Sequence, residues 1–230
     1  MHAAQVGAVA DGAPSVFTGG ANLVAVIVLL LEFGMFRQAL LRDQVRLYAA
    51  QSSAVCALTV IVAAARHLPE LYLLAALSAA LKVIAVPVVL RRVLRGTQNE
   101  IAGSGALSLA STVLLAIAVA AFGFFAVGRL GIQGPALPKT ALGVAIAVVL
   151  VAFVLMIVRR DVVSQSVGFF SLENGVSLAA LVVAAQMPLI LAVAFLFDLL
   201  VAVVVFGVLI RFHHGRAESL STAELTSLRG

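Results

Sequence analysis

Four ionisable residues lie inside otherwise apolar stretches of this 230-residue chain: Glu32, Lys82, Glu173 and Asp198. A charged side chain at the centre of a membrane-spanning helix costs about 2.5–3.5 kcal/mol, so such residues usually serve a proton or ion pathway. One lysine among three carboxyl groups leaves a net negative charge in a low-dielectric interior. At least one carboxyl group is therefore expected to spend time protonated, and the set predicts a proton relay.

The composition requires a membrane to hold these residues. Apolar side chains make up 63% of the chain and charged ones 11%, whereas charged residues approach a quarter of a soluble domain. With about 20 residues needed for each span, the sequence predicts an all-α polytopic membrane protein with about seven transmembrane helices. The predicted spans are Gly19–Phe36, Leu47–Ala65, Leu71–Leu90, Gly105–Val127, Thr140–Val158, Val162–Ala185 and Pro188–Ile210. No room remains for a catalytic domain, so the chain is not expected to be an enzyme by itself.

The basic residues predict the orientation of these spans. Eleven of the 15 Lys and Arg residues follow the first, third, fifth and seventh spans. Basic loops stay in the cytoplasm, so the N-terminus is predicted outside and the C-terminus cytoplasmic. Topology thus accounts for the net charge of +5, which gives no indication of nucleic-acid binding. The single cysteine, Cys56, cannot build a thiolate metal site, and no cofactor is expected in this chain.

The longest connection, rich in glycine and proline, divides the chain into two membrane units. Each unit contains a hairpin that turns at a proline, Pro69 or Pro188, and returns with Lys82 or Asp198 at mid-depth. The predicted segments are a leading tail (1–18), a four-helix unit (19–127), the loop (128–139), a three-helix unit (140–210) and a cytoplasmic tail (211–230).

Helical spacing places polar side chains near Glu173 on its own predicted helix. Ser166 precedes Glu173 by seven residues, Asn174 follows it directly, and Ser177 follows it by four residues. Ser166 and Ser177 share one helix face with Glu173, and Asn174 lies alongside them. We therefore expect these side chains to support a proton path and to carry water.

Lys82 and Asp198 have different surroundings. Ser78 precedes Lys82 by four residues, and Pro87 follows it by five. Because proline has no backbone N–H, it is expected to loosen the helix there and to make room for a water or a kink. Asp198 has only apolar neighbours, so its partner must come from another helix or another chain.

Fixed salt bridges that only orient helices are the main alternative to a relay. In one such arrangement Lys82 pairs with Glu32, and Glu173 and Asp198 share a proton. Glu32, a turn from the cytoplasmic end of its span, could instead reach water and carry no function. A smaller polar patch at 51–53 is more typical of helix packing than of a pathway.

Several motifs resemble a known family. Arg159-Arg160-Asp161, then Gly168, Leu172-Glu173-Asn174-Gly175 and Asp198, resemble the three-helix K subunit of respiratory complex I. The chain is more similar still to hydrogenase-4 component E, through Tyr48-Ala49-Ala50-Gln51-Ser52, Lys82-Val83 with Pro87, and the ending Leu225-Thr226-Ser227-Leu228-Arg229-Gly230. The C-terminal three-helix unit is the part that resembles the K subunit.

The resemblance implies that Glu173 and Asp198 are the carboxylates of a proton path and that Lys82 is coupled to them. In an ungapped alignment from the arginine pair, the complex I glutamate falls at Phe170, one helical turn before Glu173. Glu32 matches no position of the family. A K-like subunit of a multi-subunit cation/proton antiporter and a structural spacer between pump subunits are the alternatives.

The family also implies partners for the chain. They are antiporter-like and connector membrane subunits and a peripheral redox arm carried by other chains. Such a group 4 hydrogenase-type complex links redox chemistry in its partner subunits to the movement of protons or sodium ions.

Overall fold

In the computed structural model, residues 16–95, 107–129 and 139–184 are described, with Val193, Phe197, Asp198, Leu200–Ala202 and 204–207 from the last predicted span. Most of the predicted loop, the cytoplasmic tail and most of the leading tail lie outside these residues. The helices are α1 (Val16–Arg37), α2 (Leu41–Arg66), α3 (Pro69–Ser78), α4 (Val86–Arg95), α5 (Leu109–Arg129), α6 (Lys139–Val158) and α7 (Val162–Ala184). A π-helical segment, Ala79–Ala85, joins α3 to α4 in one continuous rod.

The chain is an all-α polytopic membrane protein. Within the described residues, six helical rods are long and apolar enough to cross a membrane, and they confirm the first six predicted spans. Large apolar side chains such as Leu30, Leu114 and Ile157 are 63%, 68% and 76% exposed, as expected of surfaces that face lipid. The described residues of the seventh predicted span, including Asp198, are helical.

The two largest differences from the predicted helix boundaries lie in the second and third spans. The second span begins at Leu41 and not at Leu47, because its first turns are polar and the apolar pattern misses them. Asp43 and Arg46, paired at 2.7 Å, lie on those turns. The third span continues to Arg95 for the same reason, since its last turn carries arginines.

The turn between α2 and α3 follows the predicted proline. His67 ends α2 in the left-handed conformation, with φ of 54°, and its N–H bonds to the carbonyl of Ala63. Pro69 is the first residue of α3, where its missing N–H costs nothing. The two spans therefore return antiparallel, as the hairpin pattern predicts.

The π-helical segment surrounds Lys82 and ends just before Pro87. Proline removes one backbone donor, and its ring clashes with the carbonyl four residues earlier, which is that of Val83. The chain widens instead, and the Val86 N–H bonds to the carbonyl of Leu81, five residues back. The predicted loosening at Lys82 is thus present as a π-helix, a form found often at functional sites.

Two glycines fix α7 against α6. A Cβ atom on Gly175 would lie 3.0 Å from the Val149 nitrogen and 3.1 Å from the Ala145 oxygen. Gly168, two turns earlier, faces α6 in the same way. Small residues at this spacing let helix backbones approach closely in a membrane. At 100° per residue, the face of α7 opposite Gly175 carries positions 173 and 177.

The arginine–aspartate motif before α7 ties three helix ends together. The Asp161 carboxylate accepts a 2.7 Å hydrogen bond from the Ser164 N–H and caps the start of α7. The Arg159 guanidinium donates to the carbonyls of Phe36, at 2.7 Å, and Gln38, at 3.3 Å. This contact anchors the end of α1 beside the start of α7, so Glu32 faces α7.

Candidate functional site

Lys82 and Asp198 form a buried ion pair between the third rod and the last predicted span. The Lys82 Nζ lies 2.7 Å from Asp198 Oδ2, and the two side chains are 2% and 7% exposed. Lys82 also donates to the Ser177 hydroxyl at 3.0 Å, and that hydroxyl donates to Asp198 Oδ2 at 3.4 Å. We call Lys82, Ser177 and Asp198 the lysine–aspartate cluster.

This pairing decides between two expectations from the sequence. Asp198 does take its partner from another helix, as its apolar neighbours indicated. The alternative that paired Lys82 with Glu32 is wrong, because Glu32 contacts α2 and α7 while Lys82 reaches Asp198. The sequence could not rank the two carboxyl groups, since the choice depends on the order of the helices around the bundle.

Glu173 is the second carboxyl group at the lysine–aspartate cluster. It is 1% exposed, and both Lys82 and Asp198 act on it electrostatically. Its Oε1 atom is buried with no hydrogen-bond partner in the described part of the chain. One lysine thus serves two carboxyl groups, one in contact with it and one within electrostatic range.

Glu32 lies in a separate polar group on the side of α7 that faces α1 and α2. Gln51 Nε2 donates to Glu32 Oε2 at 2.7 Å, and the Ser171 hydroxyl contacts the same oxygen. Asn174 Nδ2 donates to Gln51 Oε1 at 3.0 Å and to the Ser52 hydroxyl at 2.9 Å. All five side chains are 0% exposed. We call them the glutamate–glutamine cluster.

The interpretation of Glu32 as a residue that reaches water is therefore wrong. α1 turns it inward, and the anchored end of α1 keeps it against α7. The Ser171 hydroxyl contacts two oxygen atoms that can accept a hydrogen bond: Glu32 Oε2, and Gln51 Oε1 at 2.8 Å. It has one proton, so it can donate to one of them at a time. A proton on Glu32 would give each of these contacts a donor. In the patch at 51–53, the helix-packing interpretation fits Gln51 and Ser52, which bond to side chains of α1 and α7. Ser53 is exposed and donates to the Ala49 carbonyl of its own helix.

The four polar residues expected to support the path have different outcomes. Ser177 joins the lysine–aspartate cluster, and Asn174 joins the glutamate–glutamine cluster. Ser78 lines a cavity next to Asp198. Ser166 was expected to support the path on the same helix face as Glu173, but its hydroxyl donates to the Val162 carbonyl at 2.7 Å. A serine in a helix can form such a hydrogen bond to a carbonyl of the preceding turn.

Sequence reasoning missed two residues of this region. Ser171 contacts Glu32 from a helix position 139 residues away in sequence, and an isolated serine carries no signal of such a contact. Tyr48 is fully buried, and its ring packs 5.8 Å from that of Phe170. A tyrosine inside an apolar span was the signal that could have pointed to this position, because a buried phenol usually has a hydrogen-bond partner.

The two clusters lie at different depths along α7. Six residues separate Ser171 from Ser177, which corresponds to about 9 Å of helix. Within the described residues, no group of His, Cys, Asp and Glu side chains could hold a metal ion. The ionisable and polar groups that the structure brings together here are carboxyl, hydroxyl and ammonium groups.

Comparisons with known proteins give little further guidance. No protein-family profile matches the chain, and no solved structure matches it. A stretch of 75 residues, 33% of the chain, is 41% identical to part of the uncharacterized protein Rv0085 of Mycobacterium tuberculosis. The matched stretch covers 34% of that relative, so the similarity spans about a third of each protein.

Proposed function

We propose that this chain is a membrane subunit of a complex-I-related, group 4 hydrogenase-type complex in the bacterial cytoplasmic membrane. It carries part of a proton or cation path that couples redox chemistry in partner subunits to ion translocation. The observation that supports this most directly is the Lys82–Asp198 pair at 2.7 Å, with Glu173 buried within electrostatic range of both residues.

The geometry supports a switch between the two carboxyl groups. With Asp198 ionised, Lys82 pairs with it and Glu173 lacks a direct cation. When Asp198 takes up a proton, the ammonium group loses its partner, and Glu173 becomes the carboxylate that attracts it. We expect this movement at the π-helical segment around Lys82, because π-helical turns occur frequently at functional sites. Proton uptake at one carboxyl group thus favours proton release at the other.

Proton pumping by the assembled complex tests the proposal. Glu173→Gln and Asp198→Asn keep side-chain shape and remove the exchangeable charge. We expect each to lower pumping about a hundredfold or more, the scale of a lost proton-transfer group, while the complex still assembles. Glu70→Gln is the matched control, since Glu70 is an exposed carboxylate at the start of the rod that carries Lys82. The complex with this variant should pump normally.

A structural spacer is the second candidate, and the tightness of the ion pair favours it. A buried pair of this geometry can orient helices without moving a proton. If both Glu173→Gln and Asp198→Asn assemble and pump normally, the relay proposal fails and the spacer role takes its place.

The assignment to a hydrogenase-type complex has its own test. Purification of the chain with its natural partners, followed by metal analysis, should find nickel and iron in the complex. A complex without these metals that exchanges cations for protons would instead identify an antiporter subunit.

A further inference from the structure

A cavity leads from the lysine–aspartate cluster toward the end of the bundle where α2 turns into α3. It has a volume of about 50 Å³ and lies between α2, α3 and α7. Its floor is polar, formed by Ser78, Ser177 and Asp198. Seven residues of α3 separate Ser78 from Leu71 at the other end of the lining, which corresponds to about 10 Å of helix.

The cavity has the size and the polarity that water requires. On this measure, one water needs about 10–15 Å³ and two to four polar partners, so the space accommodates about three to five molecules. The floor offers a carboxylate and two hydroxyls, and Thr59 adds a hydroxyl on the wall. Ser78, Ser177 and Thr59 are only partly buried, although each belongs to a membrane span.

The distal part of the lining differs in character. Leu71, Leu74 and Leu181 lie there, and both Leu71 and Leu181 are almost fully buried, at 2% and 3% exposed. An apolar constriction above a polar floor passes water by wetting and blocks it by drying. By the distribution of basic residues, this end of the bundle faces outward.

We infer that this cavity is a water-filled access route that connects Asp198 to the α2–α3 end of the bundle. The inference rests on the proposed function for its purpose, because the route would supply or drain the proton of Asp198. The route adds to the proposed function the side of the membrane from which the lysine–aspartate cluster exchanges protons. The glutamate–glutamine cluster lies on the other side of that cluster along α7 and does not contribute to the lining.

Hydroxyl-radical footprinting of the intact complex tests the route, because radicals formed from water oxidise the side chains next to it. Two leucines of α7 form a matched pair: Leu181 lines the cavity, whereas Leu178 is 0% exposed in the core. We expect several-fold more oxidation at Leu181 than at Leu178. Leu71 at the distal end should likewise exceed Leu58 of α2, which is also 0% exposed.

Equal oxidation within the Leu181–Leu178 pair would mean a dry cavity and would overturn the inference. Oxidation of Leu181 without oxidation of Leu71 would overturn the assignment of the route to the α2–α3 end. These comparisons use the unaltered chain, so they do not depend on whether a variant folds.

A filling substitution adds an independent readout. Ala75 lines the cavity and is 3% exposed, so Ala75→Leu should lower oxidation of Leu181 to the level of Leu178. Ala76→Leu, on the exposed face of the same helix, should leave it unchanged. If the cavity is wet and Asp198→Asn pumps normally, the proposed function is refuted and the access route stands. If the cavity is dry and Asp198→Asn loses pumping, the access route is refuted and the proposed function stands.

Discussion

Removing one partner of the Lys82–Asp198 pair should cost far more than removing both. We consider Lys82→Met and Asp198→Leu, singly and together, because these replacements keep approximate volume and remove charge. At 2.7 Å and an effective dielectric constant of about 20, the attraction amounts to about 6 kcal/mol. Desolvation of the two ions, several kcal/mol each, offsets most of it.

This balance gives the expected magnitudes. Each single variant leaves an unpaired buried charge and should lose about 3–5 kcal/mol of unfolding free energy, whereas the double variant should recover most of that loss. The coupling energy, which is the sum of the two single losses minus the loss in the double variant, should therefore reach about 4 kcal/mol or more, within the range of about 1.5–7 kcal/mol measured for close charge pairs. It should therefore exceed the average of about 0.6 kcal/mol found for hydrogen bonds between membrane helices.

Unfolding of the purified chain by SDS in mixed micelles measures these free energies. Additive losses, with the double variant equal to the sum of the singles within about 0.5 kcal/mol, would refute the pair as an energetic unit. The double variant also separates the two functional proposals. If it folds, assembles and pumps, the pair is a structural element; if it folds and assembles but does not pump, the relay is supported.

Three further predictions concern the framework around the site. Glu32→Gln should fold normally, because an amide can serve the two side chains that contact Glu32, whereas Glu32→Leu leaves them unsatisfied and should cost about 1–3 kcal/mol in SDS unfolding. Gly175→Leu should cost about 1–3 kcal/mol or more by forcing α6 away from α7, whereas Gly128→Ala, with open space around its Cβ position, should be neutral in the same assay. Arg159→Ala should lower the thermal midpoint of the detergent-purified chain, because two carbonyls near the end of α1 lose a charged donor worth about 1.5–3 kcal/mol; the exposed neighbour Arg160 is the control, and equal midpoints for the two alanine variants would contradict the anchoring role.

The sequence predicted the features that depend on one helix at a time. The first six spans, the turn at Pro69 and the loosened backbone before Pro87 all follow from local composition. Burial of Lys82 and Glu173 followed from their positions within apolar runs. Each of these inferences needs only the cost of a polar group in lipid or the chemistry of proline.

Contacts between helices were harder to predict. Nothing in the local pattern distinguishes Glu32 from Asp198 as the partner of Lys82, because the choice depends on which helices are neighbours. The Gly175 contact sets the rotation of α7, and the Arg159 contact sets the position of α1. The Ser171–Glu32 contact follows from both. These constraints are tertiary, so a single sequence without its packing leaves them open.

The position of Glu173 along α7 also has a physical consequence. Phe170, where an ungapped alignment to complex I would put the carboxyl group, is fully buried and packs 5.8 Å from the ring of Tyr48 and 5.9 Å from that of Phe206. A carboxyl group there would lie two turns from Ser177, whereas Glu173 precedes it by a single turn and shares its face. Because Ser177 bonds to Lys82, the displacement brings the second carboxyl group within electrostatic range of the ammonium group. The three-residue shift is therefore compatible with the relay, and it accounts for a lysine on the third rod acting on a glutamate of α7.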